Sequence, residues 1–370
     1  MPDKSLAFQG SKRATLGLEW ELQILDRHRL DLADRAIPVL EAFPGMAWIQ
    51  PELIQSCVEI ASKVCSDLHQ LEAHLRSLLT ELSRRCGELD LVLCGAGTHP
   101  FCRRLGLITP LPRYLRQKSV YGYMARNQIT FANHVHLGVP DGETALTLMR
   151  ELKPYLPILI ALSANSPFWR GYETGFACYR QRILAAERSF GIPPTFSDWK
   201  QFCDFFALTR RAGIFENIHD IHWDLRPRPH LGTLEVRVMD AQSNLRDAIA
   251  LAAFIQVLAD FLLDTPPDAR PPGLPRLLPW WLEKENYFQA TLRGEDAGWV
   301  DDGGGVHSLR AMIESLLQIL LARSNPRQRP YLSHLQRRLE EGVGWQRQLR
   351  MFSSTRRLAA VTAGLVAELC

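Results

Sequence analysis

The stretch Thr15–Asp26, TLGLEWELQILD, predicts a β-strand with one apolar and one acidic face. Side chains of a strand alternate between two faces, which puts Glu19 and Glu21 on the same face, about 7 Å apart. Two unpaired carboxylates at that spacing repel each other, so a positive charge is expected over them. A half-exposed strand with two solvated acids is the alternative interpretation. The opposite face is apolar and carries Leu16, Leu18, Trp20, Leu22 and Ile24.

Three further stretches show the same alternation of apolar and ligand-type residues. Strands are predicted over Cys57–Ala61, Asn133–Val139 and Leu234–Asp240. If these strands share a sheet with Thr15–Asp26, one face of that sheet is strongly polar. Taken one at a time, such residues are also compatible with a hydrogen-bonded core histidine or a surface arginine. The polar faces of the three strands carry Glu59, His134, His136, Glu235 and Arg237.

A sheet face of this composition is suited to divalent cations. Carboxylate oxygens with a histidine favour Mg²⁺ or Mn²⁺, and zinc is disfavoured because no cysteine falls at ligand spacing. Carboxylates that gather two or more such ions commonly hold nucleotide phosphates. Arg237, and Arg226 from the predicted strand Ile221–Arg226, are candidates for stabilising charge on a phosphoryl group.

Composition narrows the class of protein. The chain has 370 residues, of which 46% are hydrophobic and 22% charged, and its net charge is +3. This charge is too small to indicate nucleic-acid binding, and no zinc-finger or RNA-binding motif is present.

Residues Met1–Gly17 lack the apolar core of a signal peptide, and Ala248–Leu263 contains Gln256 and Asp260, which favours a buried helix over a membrane span. The eight cysteines show no C-x-x-C spacing, so reduced thiols in a cytoplasmic protein are expected.

The order of predicted elements indicates an α+β protein. Strands alternate with helices such as Asp67–Arg85, and a proline-rich connector follows at Asp264–Pro279. The remainder is predicted to be helical. We therefore expect a single domain with a catalytic part over 14–263, the connector over 264–279 and a mainly helical part over 280–370. The predicted C-terminal helices are Ser308–Arg323, Tyr331–Arg350 and Thr355–Leu369.

Several motifs resemble those of one enzyme family. The chain from Leu16 to Leu263 contains, in order, GLEWEL, ELIQSCVEIASKVC, GAGTHPF, NHVHLGVPD, ALSANSPFWRGYETG and HWDLRPRPHLGTLEVRVMD. These segments resemble the type-2 glutamate–cysteine ligases, which are bacterial ATP-dependent carboxylate–amine ligases. The resemblance implies a glutamine-synthetase-like fold: a curved antiparallel sheet forms a funnel, helices pack on its outer face, and the C-terminal region is helical.

The same resemblance implies two positions for Mg²⁺ or Mn²⁺. Glu19, His134 and Glu235 would hold the ion that bridges the outer phosphates of ATP. Glu21 and Glu59 would hold the ion nearer the carboxylate substrate.

Further roles follow from the resemblance. Arg237 would lie beside the γ-phosphate with help from Arg226. His136 would either reach towards ATP or remain structural, and Glu52 is a weaker candidate for the site. The sequence departs from the family pattern at Leu292, where relatives usually carry an arginine, and at Gln55, where some carry an acid.

The expected function is an ATP-dependent ligase that joins a carboxylate to an amine through an acyl phosphate, with weak glutamate–cysteine ligase activity. Two alternatives remain open. One is a guanidino-type or other small-molecule phosphotransferase, and the other is a non-catalytic module that binds nucleotide and metal. The expected partners are amino acids and a second copy of the chain in a homodimer, with no nucleic acid or membrane.

Overall fold

The computed structural model describes residues 6–11 and 15–369. The domain limits predicted at residues 14 and 370, and parts of the N-terminal segment predicted to lack a leader, lie outside these ranges.

Short and long strands alternate with helices along the chain. The strands are β1 Leu16–Asp26, β2 Ile49–Pro51, β3 Cys57–Ala61, β4 Leu91–Cys94, β5 Ala132–Gly138, β6 Phe168–Trp169, β7 Tyr172–Glu173, β8 Phe190–Gly191, β9 His222–Trp223, β10 Leu225–Arg228, β11 Thr233–Asp240, β12 Gly298–Val300 and β13 Val306–Ser308. The α-helices are α1 Ala36–Glu41, α2 Leu68–Glu88, α3 Pro112–Tyr121, α4 Tyr123–Asn127, α5 Gly142–Leu152, α6 Leu156–Ser163, α7 Arg180–Leu184, α8 Trp199–Arg211, α9 Leu245–Asp264, α10 Trp280–Arg293, α11 Leu309–Arg323, α12 Arg329–Glu341, α13 Gly344–Thr355 and α14 Leu358–Leu369.

The main sheet is built around β1. Six of its seven strands follow the order β10-β11-β5-β1-β3-β2, and the seventh, β4, pairs with the C-terminal half of β1. All of these pairs are antiparallel. The four strands predicted to share a sheet are therefore β1, β3, β5 and β11, and that prediction is confirmed.

The two faces of this sheet differ as the alternation predicts. Leu18, Trp20 and Leu22 of β1 are fully buried, and helices α2 and α9 contact the sheet. Removing this apolar surface from water is the main stabilising contribution to the layered packing. The other face carries the polar residues and is left free for the site.

Helix limits are predicted less well than strand faces. Asp67 caps α2 by accepting a hydrogen bond from the Gln70 amide, as predicted. The predicted helix Tyr331–Arg350 is instead two helices, α12 and α13, which are separated at Gly342, where φ is +105°. Helix α3 was not predicted, and α10 lies in the part predicted to be mainly helical without its own limits being assigned. Helix α3 begins at Pro112, a residue tolerated in a first helical turn.

The C-terminal helices pack against the sheet-containing part. Helix α10 contacts α6, α12 contacts α9, and α14 contacts β4. Extensive contacts of this kind are what a single domain requires; the predicted division into three parts stays a prediction.

Two further sequence predictions concern helices and thiols. Within 6–11 and 15–369, none of the helices combines the length and apolarity that a bilayer crossing requires. The described cysteines are all free thiols: Cys57, Cys65, Cys86, Cys94, Cys102, Cys178 and Cys203.

Candidate active site

A cavity of about 640 Å³ opens over the polar face of the sheet. Most of the predicted site residues line it: Glu19, Glu21, Glu59, His134, Arg226 and Arg237. The other two predicted residues, His136 and Glu235, are buried among them on the same face. The sheet thus brings all of the predicted site residues together.

Strand register explains this convergence. Glu19 pairs directly with His134, and Glu21 with Glu59. Directly opposed residues of antiparallel strands project from the same face with their Cβ atoms about 5 Å apart. A further opposed pair, Glu235 and His136, extends the row towards β10.

The first cluster, which we call the arginine-flanked group, consists of Glu19, His134 and Glu235. Its potential ligand atoms all lie within 4.8 Å of one another. His134 Nδ1 is 3.1 Å from a Glu19 oxygen and 4.0 Å from a Glu235 oxygen.

Three guanidinium groups surround the buried carboxylate of Glu235. Arg226 donates two hydrogen bonds to it, at 2.9 and 3.1 Å, Arg228 donates one at 3.1 Å, and Arg237 also pairs with it closely. Burial alone would raise the pKa of Glu235, but the charges of Arg226, Arg237 and Arg228 lower it well below its usual value. The three guanidinium groups thus favour the ionised form of Glu235.

Glu19 is ionised for a related reason. Burial would raise its pKa, but the charge of His136 and hydrogen bonds from His134 and His136 lower it well below its usual value. His136 Nε2 lies 3.2 Å from Glu19, and its Nδ1 lies 3.1 Å from the Thr233 hydroxyl. Of the two roles predicted for His136, these contacts favour the structural one.

The second cluster, the acid-rich group, consists of Glu21, Glu59 and His134. Burial and the charge of Glu52 raise the pKa of Glu21 to about 8. Burial and the charges of Glu19 and Glu52 raise the pKa of Glu59 well above its usual value. These carboxyl groups lie close to one another without enough positive charge to balance them.

His134 belongs to both clusters. Burial, and then the charge of Arg237, lower the pKa of His134 to about 3, so its ring is neutral. Its Nε2 atom is buried with no hydrogen-bond partner among the described residues and lies 3.9 Å from Glu21. A neutral imidazole has one lone pair, so His134 can serve as a ligand to one of the two groups.

The donor set fits Mg²⁺ or Mn²⁺. Both groups offer carboxylate oxygens and one imidazole nitrogen, which these ions accept. Cys57 also lines the cavity, but burial and the charge of Glu21 raise the pKa of its thiol well above the usual value, so it stays protonated. Among the described residues that line the cavity Cys57 is the only cysteine, and the preference against zinc stays a prediction.

Arg226 is largely occupied by protein groups. Besides Glu235, it donates to the carbonyl oxygens of Ile221, at 2.5 Å, and His219, at 3.3 Å. Its guanidinium therefore supports the position of Glu235, and its predicted contact with phosphate stays a prediction. Arg237 pairs with Glu235, but its Nε atom has no partner within the described ranges, which leaves a donor for a ligand.

Several residues that line the cavity were not predicted as site residues. Arg228 lies two residues beyond Arg226 in β10, and the alternation R-P-R was a signal that could have identified it. Glu52, a weak candidate from the sequence, lies in the cavity wall, where burial raises its pKa. Arg113 and Arg180 also line the cavity, and no local pattern indicates them because they come from helices outside the sheet.

The two departures from the family pattern lie elsewhere. Gln55 donates to the carbonyl oxygen of Ile108, and the Leu292 carbonyl accepts from the Ala177 amide. Neither residue belongs to the cavity lining.

Comparisons with known proteins identify the family of the chain. The model of glutamate–cysteine ligase family 2 matches residues 15–369. A relative from Trichormus variabilis, assigned as glutamate–cysteine ligase 2, is 45% identical over 366 residues, covering 98% of this chain and 95% of that protein. A similarly assigned protein of Gloeobacter violaceus is 34% identical and covers 99% of both chains.

Solved structures with the same fold are more distant in sequence. The glutamate–cysteine ligase of Francisella tularensis, solved in complex with AMP, superposes with a TM-score of 0.66 at 14% identity, covering 97% of this chain and 93% of that one. A bifunctional glutathione synthetase from Pasteurella multocida gives a TM-score of 0.66 at 13% identity, covering 96% of this chain and 52% of its own. The predicted fold class is confirmed.

Proposed function

The chain belongs to glutamate–cysteine ligase family 2, and we propose that it is an ATP-dependent carboxylate–amine ligase with weak activity towards glutamate and cysteine. The observation that carries this proposal is the pairing of two carboxylate–histidine groups with an arginine cluster on one sheet face. A triphosphate needs cations and guanidinium groups, and a carboxylate substrate needs its negative charge neutralised before it can attack phosphorus.

Two divalent ions would be held by the chain's own side chains. Glu19 and Glu235 would hold one, Glu21 and Glu59 the other, and His134 would complete one of them. Bound there, Mg²⁺ or Mn²⁺ supplies charge neutralisation to the phosphates and to the carboxylate substrate. Glu52 lies in the wall of the same cavity, and its charge contributes to the raised pKa of Glu21 and of Glu59.

The reaction has two steps. A substrate carboxylate oxygen attacks the γ-phosphorus, the bond from that phosphorus to the β–γ bridging oxygen breaks, and ADP leaves as an acyl phosphate forms. The amine then attacks the acyl carbon, the bond from that carbon to the phosphate oxygen breaks, and the nitrogen releases a proton, so that an amide and phosphate remain. Arg237 would stabilise charge on the phosphoryl group, while Arg226 and Arg228 keep Glu235 ionised and in place.

The chemistry requires positioning and exclusion of water and no covalent attachment to the enzyme. An amino acid is the expected carboxylate substrate, and another amino acid the amine. The homodimer and the cytoplasmic location stay predictions.

The test is amine-dependent release of phosphate from ATP across a panel of amino acids, with identification of the product by mass spectrometry. We expect an amide in the presence of Mg²⁺ or Mn²⁺. Glu59→Gln should reduce turnover by roughly 100-fold or more, as is typical when charge stabilisation is removed. Asp302→Asn, which disrupts a surface ion pair with Arg276, is the control and should keep full activity.

Two outcomes would contradict the proposal. A phosphorylated small molecule without an amide would indicate a phosphotransferase. Binding of ATP without turnover, unchanged by Glu19→Gln, would indicate a non-catalytic module.

A further inference from the structure

Helix α3 lies along the cavity and has little attachment to the core. Of its ten residues only Tyr114 is buried, while Leu115 and Val120 are exposed. The helix ends at Gly122, whose φ of +54° is a conformation that glycine adopts easily. Few buried contacts allow a segment to open locally at low cost in free energy.

One side chain of α3 connects the helix to another segment of the cavity lining. Arg116 pairs closely with Glu216 and donates to Asp220 Oδ1 at 3.2 Å. Glu216 precedes the short 3₁₀ turn Ile218–Asp220, and Asp220 is the last residue of that turn. Both acids line the cavity. The side chains of this ion pair are partly exposed, and such pairs contribute little stability, so the contact can open and reform without unfolding.

Asp220 holds the turn together. Its Oδ2 atom accepts hydrogen bonds from the backbone amides of Glu216, at 2.7 Å, and Asn217, at 3.1 Å. The Arg116 contact uses the other oxygen of the same carboxylate. The position of α3 is therefore linked to the conformation of the turn.

The backbone of this 3₁₀ turn and of the residue that follows it holds Arg226 in place. The carbonyl oxygens of His219 and Ile221 both accept from the same guanidinium nitrogen of Arg226. The Nε atom and the other guanidinium nitrogen of Arg226 donate hydrogen bonds to the carboxylate of Glu235, a residue of the arginine-flanked group. A continuous chain of polar contacts thus runs from α3 to Glu235.

We propose that Arg116 and Asp220 are positioning residues that place Arg226 and Glu235 when α3 covers the cavity. With α3 in place, Arg116 fixes the Asp220 carboxylate, Asp220 fixes the turn, and the turn carbonyls hold the Arg226 guanidinium against Glu235. The role of Glu235 in turnover rests on the proposed ligase function, but the coupling between Arg116 and the turn does not.

The chain offers a matched control. Arg327 makes an ion pair of 2.9 Å with Asp67, which caps α2 through its other oxygen. As in the Arg116–Asp220 contact, one carboxylate oxygen binds an arginine while the other accepts from a backbone amide. Neither Arg327 nor Asp67 lines the cavity. Arg327→Gln therefore measures the effect of losing such a pair without touching the site.

The experiment compares the wild type with Arg116→Gln, Arg116→Lys and Arg327→Gln in two measurements. The first is hydrogen exchange of backbone amides in residues 214–228, and the second is kcat and KM for ATP. We expect Arg116→Gln to speed exchange in 214–228 and to lower kcat by about tenfold or more, since small misplacements of site residues cost up to about 100-fold. KM for ATP should change by less than about threefold. Compared with Arg116→Gln, Arg116→Lys should show slower exchange in 214–228 and a higher kcat. Arg327→Gln should keep the exchange rates and the kcat of the wild type.

The measurements separate the possible results. Unchanged exchange in 214–228 overturns the proposal, even if kcat falls, because Arg116 would then act on the substrate directly. Faster exchange with unchanged kcat also overturns it. If the wild type has no ligase activity, the proposed function fails, and the exchange measurement alone decides whether Arg116 is coupled to the turn.

Discussion

The arginine-flanked group and the acid-rich group lie side by side on one sheet face, yet they differ in charge balance. Glu235 is surrounded by three arginines, and its pKa is lowered. Glu21 and Glu59 face other carboxyl groups in a buried place, and their pKa values are raised. The protein itself balances the charge of the first group, whereas the second group gains most from an added cation.

The largest contrast is expected in the stability of the metal-free protein. Glu235→Gln should lower the free energy of unfolding by about 3–5 kcal/mol, because it leaves buried guanidinium groups without their counter-charge. Glu59→Gln should leave it unchanged or raise it, since the raised pKa of Glu59 favours a neutral carboxyl group that the amide resembles. Urea denaturation in the presence of EDTA measures both. If both variants lost the same free energy of unfolding, the arginine-flanked group and the acid-rich group would not differ in charge balance.

Added cation should stabilise the protein through the acid-rich group in particular. A ligand at about 100 times its dissociation constant stabilises the folded state by about 2.7 kcal/mol. Thermal unfolding with increasing Mn²⁺ should show a rise in Tm for the wild type and a clearly smaller one for Glu59→Gln. Calorimetry of Mn²⁺ binding gives the affinity directly, and an affinity unaffected by Glu59→Gln would place the ion elsewhere.

The pH dependence of stability sharpens the comparison. The pKa of Glu21 rises from 4.5 to about 8 on folding. At a pH between these two values, the folded protein therefore keeps a proton on Glu21 that the unfolded chain has released. The contribution of Glu21 to the stability of the folded protein is present below pH 4.5. It is lost as the pH rises towards 8, by at most about 1.4 kcal/mol per pH unit. In EDTA, the wild type should therefore lose stability relative to Glu21→Gln across this range, and Mn²⁺ should remove the difference.

Glu187 provides the control for that measurement. Burial alone raises its pKa to about 8, and both of its carboxylate oxygens lack hydrogen-bond partners within 6–11 and 15–369. Glu187→Gln should produce the same pH trend as Glu21→Gln in EDTA. The trend should persist in Mn²⁺, because Glu187 belongs to neither group. A Mn²⁺ effect on both variants would mean that the ion acts on the whole fold.

The sequence predicted which residues share the polar sheet face more accurately than it predicted where the helices begin and end. Strand faces follow from strict alternation, which is local, so Glu19, Glu59 and Glu235 could be assigned to one face before their strands were placed. Helix α3 escaped prediction because its apolar residues, such as Leu115, are exposed and show no buried stripe. Arg113 and Arg116 enter the cavity from that helix and could not be found by the same argument.

The sequence by itself determined that a row of acids and histidines would share one side of an antiparallel sheet, because side-chain direction along a strand depends only on neighbouring residues. Only the tertiary structure decided which carboxyl groups are balanced by arginine and which are not. That balance depends on the distances between groups far apart in the chain and on the exclusion of water around them. For the same reason, the link from Arg116 through Asp220 to Arg226 exists only in the folded molecule.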